Sequence, residues 1–469
     1  MHSANLKPRI GLLALSLELY ETLSPALRAD RESWLRRAVL PALEPLAEVV
    51  FERAVYSREG VDAGVAALER AGVDALLVIH LCYSPSQIAL PALKRTALPI
   101  LLWNTQELQA VDGSYNGKAL VANHGVHGTQ DLANVLLRSG VRFEYVTSHL
   151  SDPDATGRLG DFFAAAAAVR RLRSARLGLL GYPFPGMGDF ALDTTHMAAT
   201  LGCGWTVLPM EEYILRAEAA APNAVQALLA EYREKYAVSP EALDKDLEAT
   251  ARVEIALREM VAEKRLDALT YQFMAFGEDA RTPTVPFVPA CRLMAEGIGF
   301  GGEGDLIAAA GTAFLNWLHP PASFTEIFTI DFRGNSVLMS HMGEANAAMA
   351  RKDRKPALAP RTSPITRTRH GQLSLAITFE PGPATLCALT LGPNNRWRLV
   401  ASAVTVADFG PLAELRTPHF KVQPRNDVRD FLTAYAKAGG PHHSALCFGD
   451  ARERLKLAAA LLDADYVEV

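Results

Sequence analysis

The run Arg9–Leu15, RIGLLAL, carries no polar residue after its first position. A strand with one face in water alternates apolar and polar residues. A strand covered on both faces, as in a parallel sheet with helices above and below, does not. The same texture returns at Ala75–His80 (ALLVIH) and at 99–103. Helix-periodic stretches at 33–46, 61–70 and 129–139 separate these runs from one another and from strand-like stretches at 48–55 and 143–146. Strands alternating with helices predict a doubly wound parallel sheet. Ligands of such sheets sit beyond the C-terminal ends of the strands. The polar loops expected there span 17–20, which holds Tyr20, and 123–128, which holds His127.

A second unit of the same kind begins near 175. It has a strand at Arg176–Leu180, a loop at 181–189 (GYPFPGMGD), a helix at 190–201 and two more helices within 224–264. A strand at 266–273 leads to a loop with Glu278 and Asp279, then a helix at 287–296, a glycine-rich turn at 297–304 and a helix at 305–317. After Pro320 and Pro321 the texture changes. Strand-like runs at 323–332, 336–342, 373–379, 385–391 and Trp397–Val406 follow with no helix expected between them, and Asn394-Asn395 reads as a hairpin turn. The end reverts to a loop at 439–443, a helix at 450–462 and a short strand at 466–469. The predicted class is α/β: two doubly wound parallel-sheet domains, 1–172 and 173–320, then a mainly antiparallel β domain, 321–469.

Composition narrows the function. The 469 residues are 49% hydrophobic and 21% charged, an ordinary globular balance, with a net charge of −5. No broad basic surface for nucleic acid is advertised, and the longest apolar stretch, around 162–169, is too short to span a bilayer. Five cysteines without a CxxC pair read as single buried thiols of a reducing compartment, and the expected location is the cytoplasm.

Four potential metal ligands fall in loops or at strand ends: Glu278, Glu303, His341 and one of His442 and His443. Two carboxylates with two imidazoles suit a borderline divalent cation such as Mn²⁺, Co²⁺ or Fe²⁺. Singly, each has an ordinary explanation. Glu303 precedes a helix and would complement its dipole, although Asp305 already serves as a good N-cap there. Glu278 reads equally as a solvated loop acid, and His341 as a satisfied rim histidine. Adjacent imidazoles point different ways, so one of His442 and His443 can ligate while the other contacts substrate. The run 297–302 (GIGFGG) fits G-x-G-x-x-G but follows a helix rather than a strand, so nucleotide binding is not indicated.

Three segments carry a resemblance: 292–305 (RLMAEGIGFGGEGD), 323–344 (SFTEIFTIDFRGNSVLMSHMGE) and 438–444 (AGGPHHS), with Phe276-Gly277-Glu278-Asp279 upstream. In order and spacing they resemble the L-arabinose isomerase family, within the L-arabinose/L-fucose isomerase superfamily. That resemblance implies a divalent-metal-dependent aldose–ketose isomerase acting on a neutral sugar through a cis-enediol. It places Glu278, Glu303, His341 and His443 at the metal-ligand positions, the metal usually being Mn²⁺. Asp279, Phe300, Glu344, His442 and Met187 fall at substrate-pocket positions, Tyr20 has a counterpart among the substrate-binding residues, and His127 falls at that of a residue reaching a neighbouring subunit's site. A homo-oligomer, commonly a hexamer, is implied. Glu278 and Glu303 would handle the proton, with His442 positioning the sugar. The chain departs from the family at 16–20, which lacks a glutamine, and at Leu306, where a tryptophan is characteristic. A sugar epimerase using the same metal, and a non-catalytic sugar-binding paralogue, are the alternative readings.

Overall fold

The computed structural model describes residues 7–361 and 366–469. They divide into two compact units, 7–170 and the described residues from 171 to 469.

In the first unit, β1 (Arg9–Leu15), β2 (Glu48–Val50), β3 (Ala75–His80), β4 (Ile100–Asn104) and β5 (Glu144–Thr147) form a parallel sheet in the order β2-β1-β3-β4-β5. All six residues of β3 are buried, as a central strand covered on both faces requires. Two loops expected at its C-terminal edge are helical instead. Tyr20 lies in the helix Glu18–Leu23, whose first turn carries Glu18 and Glu21 against the helix dipole. His127 lies in the helix Gly125–Arg138. The glycines that suggested a loop there serve close packing: a Cβ on Gly128 would sit 2.9 Å from His80 Nε2 and from the Ser84 carbonyl oxygen.

The second unit has three sheets. β6 (Arg176–Leu180), β7 (Gly204–Leu208), β8 (Ala237–Val238), β9 (Ala268–Tyr271) and β10 (Gly299–Gly301) come first in the chain. Four of them make a parallel sheet, β10-β9-β6-β7. The glycine-rich segment read as a turn thus contains a strand. Then follow β11 (Ala322–Asp331), β12 (Ser336–Ser340), β13 (Ala357–Arg361), β14 (Gln372–Ala376), β15 (Gly382–Leu391), β16 (Trp397–Val406), β17 (His419–Pro424), β18 (His443–Phe448) and β19 (Asp465–Glu468). Pairing runs β15-β18-β11-β12-β17-β16, and β15 also pairs β16, so six antiparallel strands close into a barrel; β19 adds to β16 in parallel. Alternate residues such as Val337 and Met339, Phe420 and Val422, and Leu386 and Ala388 fill its interior. β8 joins the β13–β14 hairpin in a small third sheet.

Beyond the predicted strands lies a helix that the sequence reading did not include, Val428–Lys437, capped by Asp427 and burying Val428, Phe431 and Tyr435. Asn394 and Asn395 both take positive φ in the β15–β16 turn, as expected. The helix Leu306–Leu318 is buried almost all round because it contacts β9 and β10 of the parallel sheet and β11, β15 and β18 of the barrel. Its N-terminus and the barrel strands bring the site residues together.

Candidate metal centre

β11 runs between β18 and β12. Glu326 on β11 pairs across to His443 on one side and to Ser340 on the other, and His341 follows directly after β12. Directly opposed residues on antiparallel strands share a face. Glu326 and His443 are therefore neighbours by register, and His341 arrives beside them. Possible ligand atoms of Glu326, His341 and His443 lie within 4.8 Å of one another, and so do those of Glu303, His442 and His443. His443 is common to both groups.

Glu303 sits between β10 and the buried helix with φ of +59°, a left-handed conformation that costs a non-glycine residue about 1 kcal/mol or more. Its carbonyl oxygen accepts from the Phe184 N–H at 2.9 Å, which ties it to the loop after β6. The flanking glycines are steric necessities. A Cβ on Gly302 would lie 2.6 Å from His341 Nε2, and Gly304, with φ of +85°, packs its Cα against Tyr182 and Pro183 backbone.

Each histidine has one ring nitrogen fixed by a carboxylate. His443 Nδ1 donates to Asp305 Oδ2 at 2.9 Å, and His341 Nδ1 to Glu344 Oε2 at 2.5 Å. Glu344 is itself held by the Tyr271 hydroxyl through its other oxygen. Because a carboxylate only accepts, each of these Nδ1 atoms carries a proton, and Nε2 is the ring nitrogen left facing the site. His442 Nδ1 is held in the same way by Asp189. The Nε2 atoms of all three rings and Oε2 of Glu303 are buried and have no hydrogen-bond partner. Glu303 Oε2 stands 3.7 Å from His443 Nε2 and 3.9 Å from His442 Nε2. Those gaps are too long for hydrogen bonds, so the three groups face one another without pairing. Orphaned acceptors of this kind cost free energy unless something binds them.

The electrostatics agree. Burial would raise the Glu303 carboxyl, yet His442, His341 and His443 hold it below its ordinary value. Burial works against charge on His442, but Glu303 and Asp189 push it up to about 9. His341 is likewise raised against its burial, chiefly by Glu344. A site that draws protons onto its imidazoles offers the same negative field to a cation, which competes with those protons.

The expected residues distribute unevenly. Glu303, His341, His442 and His443 come together. Glu278 ends the short helix Ala275–Glu278, is exposed, accepts from the Tyr182 hydroxyl and belongs to neither group. Asp279 is paired with Arg281. Phe300 is buried against Phe324, whose ring lies 4.8 Å from that of His341 and 5.0 Å from that of His443, so it props the floor of the site. Glu344 stands behind His341 with both oxygens engaged. Met187 is half-buried in the loop between β6 and the helix Thr194–Thr200, with its N–H on the Phe184 carbonyl. In the first unit, Tyr20 bonds His124 at 3.0 Å, and His127 lies 5.8 Å from His124, ring to ring.

Glu326, Asp189 and Phe190 were not singled out from sequence. Glu326 was discoverable: it is a charge inside the aromatic strand SFTEIFTI, within a motif already quoted. All five cysteines are free and buried, as expected. Among the described residues, no helix is long and apolar enough to cross a membrane.

Two family models match the chain: the L-arabinose isomerase central domain over 190–319 and the L-arabinose isomerase C-terminal domain over 321–465. The L-arabinose isomerase of Acidothermus cellulolyticus is 29% identical over 377 residues, covering 78% of this chain and 74% of the relative. That of Thermotoga petrophila is 28% identical over 401 residues, covering 82% and 78%. That of Geobacillus kaustophilus is 26% identical over 391 residues, covering 80% and 76%. With both matched domains spanning more than half of its residues in the family's order, the chain belongs to the L-arabinose isomerase family.

Proposed function

We propose that this protein is a divalent-metal-dependent aldose–ketose isomerase acting on a neutral sugar, with L-arabinose the leading substrate. The observation that carries the reading is the convergence of two acids and two imidazoles whose outward nitrogens are buried and unpartnered while their other nitrogens rest on carboxylates. Glu303, Glu326, His341 and His443 would hold the cation. The second carboxylate is assigned to Glu326 rather than Glu278 because Glu326 stands with His341 and His443, whereas Glu278 is exposed and joined to Tyr182. The donor set of two oxygens and two imidazole nitrogens suits Mn²⁺, Co²⁺ or Fe²⁺. When bound, such an ion supplies Lewis acidity toward the sugar's carbonyl and hydroxyl oxygens.

The chain's own groups account for the proton inventory. Converting an aldose to a ketose moves one proton from C2 to C1 and one from O2 to O1, through a cis-enediol. Glu303 and Glu326 are the carboxylates placed to take the C2 proton and return it at C1. A positioned general base or acid contributes about 10²–10⁴-fold. His442 presents Nε2 beside Glu303 and is placed to hydrogen-bond a sugar oxygen. Phe190 and Phe324 pack against the imidazoles and keep water from their faces.

Purified protein loaded with Mn²⁺ and incubated with L-arabinose, D-galactose and a panel of other aldoses should form ketose from at least one. Tight sugar binding with no ketose from any of them would overturn the reading, and a product that remains an aldose would replace it with epimerisation. The family resemblance also supports a homo-oligomer in the cytoplasm with His127 reaching a second copy, and sedimentation of the full chain tests the assembly.

A further inference from the structure

The loop between β6 and the helix Thr194–Thr200 grips the histidine pair from one side. Asp189 Oδ2 accepts from His442 Nδ1 at 2.5 Å and from the His442 backbone N–H at 3.2 Å. The next residue, Phe190, is buried, and its ring stacks on His443 at 5.6 Å with planes 8° apart. The same ring lies 5.9 Å from that of His442, tilted by 40°. Loop and histidines are 253 residues apart in sequence, so this contact is a product of the fold. The loop's other end is anchored at the site as well, through the Phe184 N–H on the Glu303 carbonyl.

We infer that Asp189 is a positioning residue for His442, fixing which ring nitrogen faces the reacting sugar. The proposal rests on the isomerase reading above and deepens it. A carboxylate oxygen can only accept, so Asp189 keeps a proton on Nδ1 and leaves Nε2 as the atom on the Glu303 side. Its second bond, from the His442 backbone, fixes the carboxylate itself. Without Asp189 the imidazole is free to rotate about its Cβ–Cγ bond and to carry its proton on either nitrogen. Nε2 would then meet a sugar oxygen in the required orientation and protonation only part of the time. The sugar would still bind through the remaining contacts, so the loss falls on turnover more than on binding. The side chain of Asp189 is 38% exposed, so its removal leaves no buried cavity.

The test uses the full chain with Asp189→Ala and Asp189→Asn. Under Mn²⁺, Asp189→Ala should lower kcat about 10- to 100-fold with KM changed by less than about threefold. Its melting temperature and Mn²⁺ affinity should match the parent's. Asp189→Asn should recover part of kcat, because an amide oxygen still accepts from Nδ1–H. In metal-free, ¹⁵N-histidine-labelled protein, the ring signals that His442→Gln removes should report a hydrogen-bonded Nδ1–H in the parent, and that bond should be lost in Asp189→Ala. An unchanged kcat overturns the inference, and so does a fall in kcat with unchanged ring signals. If the parent itself forms no ketose from any sugar, the isomerase reading fails. The ring signals then still decide whether Asp189 orients His442.

Discussion

Asp305 bonds His443 Nδ1 at 2.9 Å with one carboxylate oxygen and the Ala308 N–H at 2.8 Å with the other. One side chain therefore begins a helix and orients a ring of the proposed metal centre. The two duties separate by substitution. Asn caps a helix about as well as Asp, so Asp305→Asn should keep the fold and melt within a few degrees of the parent. Its amide no longer enforces a proton on Nδ1, and Mn²⁺ affinity by calorimetry should fall about 10- to 100-fold. Parental affinity in this variant would show that the Asp305–His443 contact does not set the ligand.

Glu326 and Glu278 make opposite predictions. Glu326→Gln should lose at least about 10² in turnover, with weaker Mn²⁺ binding by electron paramagnetic resonance, since one ligand and one proton-handling group go together. Glu278→Gln should bind Mn²⁺ as the parent does, because Glu278 joins Tyr182 and neither cluster. The reverse pattern would restore Glu278 as a ligand.

Gly302 is packed too tightly for any side chain. A Cβ there would lie 2.6 Å from His341 Nε2 and 3.1 Å from Phe324 Cζ. Gly302→Ala should displace the outward nitrogen of His341 and cost about 1–3 kcal/mol in stability from overpacking. Chemical denaturation and Mn²⁺ titration of the same preparation check both. Unchanged Mn²⁺ binding would mean that His341 Nε2 is not a ligand.

How far these features could be read in advance depends on what each residue is for. The parallel strands were legible because burial on both faces writes a continuous apolar run, as at Ala75–His80. That Glu303, His341 and His443 would stand close together was legible from motif resemblance and residue type. Glycine misled twice. At Gly125 and Gly128 it marks a helix pressed against His80, and at Gly299 it lets β10 approach the backbone around Ala309 and Ala313, yet both segments read as loop. Glu326 stood out locally only as a charge inside an aromatic strand, and its partners are set by strand register. The pairing of Glu326 with His443 is a tertiary fact with no local signature. Asp189 and Phe190 act across 253 residues and were hidden for the same reason.

The burial of His80 predicts that the first unit loses stability in acid. It is buried, with Nδ1 on the Thr129 hydroxyl at 3.2 Å and Nε2 unpartnered. Burial lowers it to about 3, against a weaker upward pull from Asp131. Unfolded, it titrates near about 6.5. Between those values the unfolded chain binds the proton and the folded chain does not, so stability falls as pH drops from about 6.5 toward 3, by about 1.4 kcal/mol per pH unit at most. Urea melts of the parent and of His80→Gln across that window should show the shallower fall in the variant. Equal slopes would remove His80 as the cause.

The most direct measurement is anomalous diffraction at the manganese edge from crystals grown with Mn²⁺. A single peak about 2.0–2.3 Å from carboxylate oxygens of Glu303 and Glu326 and from Nε2 of His341 and His443 is the predicted result. A peak bound through Glu278, or no peak among these four side chains at saturating Mn²⁺, would contradict it.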